Sequence, residues 1–282
     1  MSNGTQFDKL DILGVQVDAI SVKDAIDFVT ARAAPGGKAA YVIKPYVEFL
    51  DQAYHNEALR DVLNHADLAV ADGVALTWAA AYLYAGKRSL LRFWKTLVQI
   101  IVSPDELRWP LPDRAAGINF TLPLLEAAAR DKLKVFLIGN PKNGRSIGHT
   151  AVYLHSHLPE LKIVGTLSGR DPTHAYGRVG EAWYRETESA LAASAPDIIL
   201  VGMGFPLQEE VTSTLAARTK HGVYIGEGGT FDYAAFGGGL PKAPVRIQKL
   251  GLEWLWRLAR EPHRLGRQLA IPRFIYRVWK NR

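Results

Sequence analysis

The 282-residue chain contains no cysteine, which excludes disulfides and thiolate metal sites outright. It also lacks any Asp-x-Asp pair, the usual carboxylate arrangement for holding a divalent cation on a nucleotide diphosphate. His155 and His157 fall on different sides of a helix and the remaining histidines are scattered, so a histidine metal site is not expected either. No stretch approaches the roughly 20 apolar residues of a membrane span, and the N-terminus shows no basic-then-apolar leader pattern. A cytoplasmic protein with no metal and no cofactor is therefore the expectation.

What is present is a regular alternation of buried-strand and helix patterns. Apolar strands are predicted at Ala40–Ile43, Leu68–Ala71, Lys134–Ile138, Lys162–Thr166, Ile198–Val201 and Val223–Ile225. Helical patterns lie near 22–33, 46–64, 73–86, 118–131, 143–157, 177–194 and 207–219. The run Ile198, Ile199, Leu200, Val201 is too apolar for a half-wet strand, so it reads as a parallel strand covered on both faces. The expected class is α/β, a Rossmann-like parallel sheet arranged as two facing lobes. A triple glycine and two prolines within 237–244 mark a boundary between a catalytic region, 1–240, and a C-terminal amphipathic helical appendage, 241–282.

Charge is uneven. The stretch Pro241–Arg282 carries eleven Lys/Arg against two Glu, a net of +9, whereas the first 240 residues carry 23 basic and 26 acidic residues. Trp254, Leu255, Trp256, Leu258, Phe274, Tyr276 and Trp279 interleave with those cations. Basic heads alternating with Trp and Leu describe an interfacial helix on an anionic membrane surface or, alternatively, a solvated basic face with an aromatic core stripe, and the aromatic richness argues against a groove for nucleic acid.

Sheets of this kind bind ligands at the carboxyl ends of their strands. Two strands run straight into glycine turns, Gly202-Met203-Gly204 and Gly226-Glu227-Gly228-Gly229, with Gln208, Glu209 and Asp232 just beyond. The glycines would let the backbone approach a ligand closely and N–H groups at the following helix starts are candidates to hold phosphate oxygens, the alternative being ordinary strand-to-helix turns. Asp72 follows the apolar strand at Leu68–Ala71 and precedes Gly73 at a helix start, so its carboxylate is placed to act as a general base or, alternatively, to cap the helix. Two other nucleotide chemistries fit poorly. The segment Gly139–Ser146 approaches a phosphate-binding loop but has Arg145 where lysine is required, and Gly202-Met203-Gly204 lacks the third glycine of a dinucleotide fingerprint.

Several collinear segments, GMGFPLQEEV (202–211), GEGGTFDYAAFGGGLPKAP (226–244), LGLEWLWRLAREPHRL (250–265), VEFL (47–50), ADLAVADGVALTWAA (66–80) and VFLIGN (135–140), resemble the WecG/TagA/CpsF family of bacterial glycosyltransferases from about Leu10 to Arg277. The resemblance implies transfer from a UDP-sugar (hexose, N-acetylhexosamine or hexuronic acid) to a polyprenyl-diphosphate-linked saccharide; with the missing Asp-x-Asp pair and the basic tail, the enzyme expected is inverting, metal-independent and peripheral on the inner membrane face. It points to Asp72 as catalytic, since the family's proposed aspartate lies in the same DG motif, and implies that Gln208 and Asp232 belong to the donor pocket, the alternative for either being a turn-stabilising side chain. The full donor-binding set expected is Gly73, Arg114, Asn119, Gly139, Gly204, Gln208, Gly228, Gly229 and Asp232. Lys44, Tyr46, Arg257, Arg260 and Arg264 are expected toward the acceptor and its diphosphate. The alternative class is a peripheral scaffold of a polysaccharide assembly complex that keeps the basic tail and has lost catalysis; homo-oligomerisation is left open.

Three positions depart from the family pattern. Lys44-Pro45-Tyr46 replaces a Thr-x-Asn segment, Asn119 replaces an aspartate, and Lys242 replaces an arginine. Residues 87–112, with LLRFWKTLVQIIV at their centre, read as an insertion whose apolar helix either joins the core or meets membrane or lipid acceptor. If the departures set sugar specificity, the combined change Lys44→Thr, Tyr46→Asn and Asn119→Asp will reorder turnover across a panel of UDP-sugars; an unchanged ranking rejects that role.

Overall fold

The computed structural model describes residues 7–113, 117–140, 145–171, 178–250, 252–262 and 265–281. In chain order the strands are β1 (Lys9–Ile12), β2 (Val15–Asp18), β3 (Ala40–Ile43), β4 (Leu68–Ala69), β5 (Lys134–Gly139), β6 (Lys162–Ser168), β7 (Ile198–Gly202) and β8 (Val223–Gly226). The α-helices are α1 (Val22–Ala33), α2 (Val47–Ala53), α3 (Glu57–Asn64), α4 (Val74–Tyr84), α5 (Leu90–Val102), α6 (Ile118–Arg130), α7 (Ile147–His157), α8 (Glu181–Ser194), α9 (Leu207–Arg218), α10 (Val245–Lys249), α11 (Glu253–Arg260), α12 (Leu265–Gln268) and α13 (Ala270–Lys280). The chain divides into two compact units, one formed by Met1–Val22, Lys44–Ala116 and Ala243–Arg282, the other by Lys23–Ile43 and Gly117–Lys242.

The second unit is built on parallel strands in the order β3-β8-β7-β5-β6. Every residue of β3, β7 and β8 is buried, as are Val135–Gly139 of β5. That is why these strands read as continuous apolar runs rather than alternating ones. Strand β6 lies at the edge and is only half-covered. The chain leaves β5 toward β6 and leaves β7 in the opposite direction toward β8, so a topological switch point falls between β5 and β7, whose last residues Gly139 and Gly202 are in register. Ligand crevices form at such points.

The first unit opens with a hairpin that the sequence reading does not anticipate. Strands β1 and β2 pair antiparallel through a turn at Leu13 and Gly14, both with positive φ. The helical pattern at 46–64 proves to be two helices: Asn56 interrupts it and caps α3, its Oδ1 accepting from Leu59 N–H at 3.1 Å. An aromatic core joins α4, α5 and α13. The Trp78 ring stacks on Tyr82 at 5.9 Å between centroids and meets Phe93 and Phe274 edge-on. The C-terminal helix is fixed by charge as well. Asp51 of α2, only 7% exposed, accepts from Arg273 Nη2 and from Arg277 Nη1, each at 2.6 Å.

At the amino ends of the strands in the second unit, His221 lies 2.9 Å from the Gly37 carbonyl and 3.1 Å from Asp197 Oδ1. Asp197 also accepts from the Lys134 N–H at the start of β5. The Gly37 carbonyl, followed by the Asp197 carboxylate, holds the imidazole's pKa above its ordinary value. A raised native-state value means that the protonated ring stabilises the fold below the unfolded-state pKa, and that this contribution disappears as pH rises through the native value. Urea unfolding of the His221→Ala variant should therefore show a larger stability deficit at about pH 5.5 than at about pH 8.5, with the difference held to about 1 kcal/mol or less by solvent screening. An equal deficit at both pH values would show that the ring is held by packing alone.

Candidate active site

In the second unit, the ends of β7 and β8 are joined through one amide. Gln208, buried in the first turn of α9, accepts through Oε1 from Gly204 N–H at 3.1 Å and from Gly228 N–H at 2.8 Å. Its Nε2 donates to Glu209 Oε1 at 2.9 Å. Gly226 is the residue that permits this approach, since a Cβ there would sit 2.9 Å from Glu209 Oε1 and 3.1 Å from Gln208 Nε2. The N–H groups of Gly204 and Gly228 are thus both engaged by Gln208.

The switch point itself is closed by a ring. Cβ atoms on Gly139 and Gly202 would lie 3.2 Å and 2.5 Å from the Phe231 side chain, so these glycines admit an aromatic plug. Open space begins beside it. Gly204 has a φ of +83° and nothing within 4 Å of where a side chain would be, which fits a backbone that a ligand approaches. Around this opening, Thr121 Oγ1 lies 2.6 Å from Glu227 Oε2, and Thr230 Oγ1 donates to the Glu227 carbonyl at 2.6 Å. Asp232 and Gly229 are partly exposed in the same turn. Asn119, in the first turn of α6, accepts from Lys242 Nζ at 2.6 Å. Two of the family departures therefore meet in a single hydrogen bond.

In the first unit, Asp72 stands at a corner between β4 and α4. Its N–H donates to the Pro45 carbonyl at 2.9 Å, tying it to the Lys44-Pro45-Tyr46 segment. The N-cap of α4 is Gly73, with φ +87°, so Asp72 is the residue just before the helix start. The residue is partly exposed, whereas Lys44 is buried. The Tyr46 hydroxyl donates to the Glu48 carboxylate, which also accepts from Arg267 Nε at 2.5 Å. The Arg267 guanidinium lies 5.5 Å from the Tyr46 ring centre.

The tail arginines occupy different environments. Arg257 donates to Glu261 at 2.8 Å, and Arg260, exposed, stacks on the Trp256 ring at 4.6 Å. Arg114 and Arg264 lie outside the described residues.

The chain matches the family model described as glycosyl transferase, WecG/TagA/CpsF family, over residues 10–96 and 99–282. The chain belongs to this family. It is a glycosyltransferase. Among its relatives is an N-acetylglucosaminyldiphosphoundecaprenol N-acetyl-beta-D-mannosaminyltransferase of Staphylococcus aureus (strain MRSA252), 26% identical over 274 residues that cover 96% of this chain and 92% of the relative. A protein of the same name from Bacillus spizizenii is 28% identical over 244 residues, covering 86% of this chain and 80% of its own length.

Sequence reasoning passed over Glu227, Thr121, Phe231, Glu48 and Arg267. An acid between two glycines at the end of a buried strand is a readable signal for Glu227. The partners of Glu48 and Thr121 are remote in sequence and have no such signal. The Gln208 arrangement makes a direct prediction. Gln208→Leu preserves volume but strands two backbone donors, which should cost about 1–3 kcal/mol in urea unfolding and weaken UDP binding by calorimetry; a variant matching wild type in both would show that the turns hold themselves.

Proposed function

We propose that this glycosyltransferase moves a hexose, N-acetylhexosamine or hexuronic acid from a UDP-sugar to a polyprenyl-diphosphate-linked saccharide, with inversion, during assembly of a surface polysaccharide. The observation that carries this reading is the corner at Asp72: a partly exposed carboxylate between β4 and α4 whose position is fixed by its own N–H on the Pro45 carbonyl. The printed names of the Staphylococcus and Bacillus relatives describe transfer of N-acetylmannosamine to a diphosphoundecaprenol-linked sugar, which supports the lipid-linked acceptor.

The chemistry is a single in-line displacement. Asp72 takes the proton of the acceptor hydroxyl as its oxygen attacks the anomeric carbon, and the bond from that carbon to UDP breaks, leaving the electron pair on the diphosphate. The charge on the leaving group needs a cationic or dipolar setting. Helices α4 and α6 support this part, because each begins at a glycine without a side-chain cap and has no acid in its first turn. Arg114, Arg257, Arg260 and Arg264 are the proposed cations. Asn119 and Asp232 would read the donor, while Gln208 would act on it by holding Gly204 and Gly228 in place. Lys44 and Tyr46 would face the acceptor side.

No described helix is long and apolar enough to cross a membrane, and the reading places the enzyme at the cytoplasmic surface by peripheral attachment. The missing Asp-x-Asp pair motivates a metal-independent reaction. The test is turnover with a panel of UDP-sugars and short lipid-diphosphate acceptors, read by product mass. Asp72→Asn should lower kcat about a hundred- to ten-thousandfold with unchanged UDP affinity, and the wild-type rate should survive EDTA. Near-normal kcat in a folded Asp72→Asn protein would remove the proposed base, and a rate restored only by magnesium or manganese would remove the metal-independent route.

A further inference from the structure

Helix α5 is turned inside out relative to an ordinary surface helix. Leu91, Trp94, Val98 and Val102 are 81%, 57%, 58% and 67% exposed. At 100° per residue they fall on one stripe about 80° wide. The opposite face is already occupied. Phe93 packs edge-on to Trp78 and Tyr82, and buried Thr96 accepts from Trp78 Nε1 at 3.1 Å. Ser89 caps the helix by accepting from Arg92 N–H, and Arg92 Nη2 donates to the Ala81 carbonyl at 2.6 Å. The helix is thus firmly seated, and its apolar stripe faces solvent.

We infer that this stripe inserts into the headgroup–acyl boundary of an anionic bilayer and sets the depth at which the first unit sits on the membrane. Three observations select a bilayer over a protein partner. First, 13 residues span about 20 Å, too short to cross but suitable to lie flat in an interface. Second, Lys87, Arg88 and Lys95 are exposed at and beside the stripe, where they complement lipid phosphates. Third, the apolar exposure is not local to α5: of the large apolar side chains exposed among the described residues, all but Val152 belong to the first unit, including Trp254, Leu255, Leu265 and Leu269 of the C-terminal segment. The neighbouring C-terminal helix is tied to α5 itself, through Arg88 Nη1 to the Asn281 carbonyl at 3.2 Å and through Phe93 against Trp279. The stripe and the basic C-terminal segment therefore belong to the same unit and are joined through these two contacts. The inference rests on the proposed lipid-linked acceptor only for its purpose, not for its geometry.

The experiment is flotation of the full chain with vesicles of phosphatidylethanolamine containing roughly one quarter phosphatidylglycerol, comparing wild type with Leu91→Glu/Val98→Glu. The double variant should keep its melting curve and its turnover on a short-chain, vesicle-free acceptor, yet bind vesicles at least about tenfold more weakly. A second readout is quenching by brominated acyl chains, which should fall in Trp94→Phe. Equal flotation of wild type and double variant, or no flotation of wild type, overturns the inference. So does a double variant that flotes like wild type but loses a dimer by light scattering, since the stripe would then join two copies. The reading of function fails separately: absent turnover on every UDP-sugar with flotation still lost in the variant rejects the reaction and leaves the membrane face standing.

Discussion

One amide oxygen organises the carboxyl end of the sheet. Gln208 Oε1 accepts from the backbone of two different turns, and its nitrogen faces the Glu209 carboxylate. The orientation of the amide is therefore fixed by chemistry: reversing it would set an NH₂ against two N–H donors and an oxygen against a carboxylate. A glutamate at this position would meet Glu209 with like charge inside a buried site. The ends of β7 and β8 behave as one piece as a result, and Gly226 is constrained to glycine by the same pair. The hydrogen bond from Thr121 to Glu227 then ties the start of α6 to that piece. Preorganisation of this kind lets a site hold a charged leaving group without rearranging during reaction.

The C-terminal segment shows why composition alone overstates a basic surface. Arg257, Arg267, Arg273 and Arg277 each bond to an acid, namely Glu261, Glu48 or Asp51. These cations hold helices within the first unit and contribute less field to a distant leaflet than their number implies. Under the inferred membrane contact, a partly neutralised tail needs apolar insertion as well as attraction, which Trp254, Leu255 and the outer face of α5 would supply. Electrostatics would then govern approach and salt dependence, and apolar burial would govern residence.

How much of this could be read from the chain depended on how local each signal is. Strands such as Ile198–Gly202 were legible because burial on both faces leaves an unbroken apolar run, and α9 and α8 because their patterns are long. The β1–β2 hairpin was not, since four-residue strands around Leu13-Gly14 carry too few residues for a period to emerge. Asn56 was a readable helix start that the longer apolar pattern overrode. Of the site, Asp72 and Gln208 stood out by position after a strand and a glycine turn. Arg273 and Asp51, 222 residues apart, could not, because that pairing exists only once the C-terminal helix has packed on α2. The Phe231 plug was likewise hidden: glycines at Gly139 and Gly202 look the same whether they admit a ligand or a ring.

The bond between Lys242 and Asn119 changes how the departures from the family pattern should be weighed. Read along the chain, an aspartate lost at 119 and an arginine replaced at 242 are two unrelated events. In the structure they are one contact, 2.6 Å long. A carboxylate facing a cation would cancel its charge, whereas the Asn119 amide satisfies the ammonium geometrically and leaves the charge in place. With buried Lys44 also standing where the pattern has a neutral hydroxyl, both altered places shift toward positive charge. A shift toward positive charge, rather than a change of shape alone, is therefore what sets these two places apart from the family pattern.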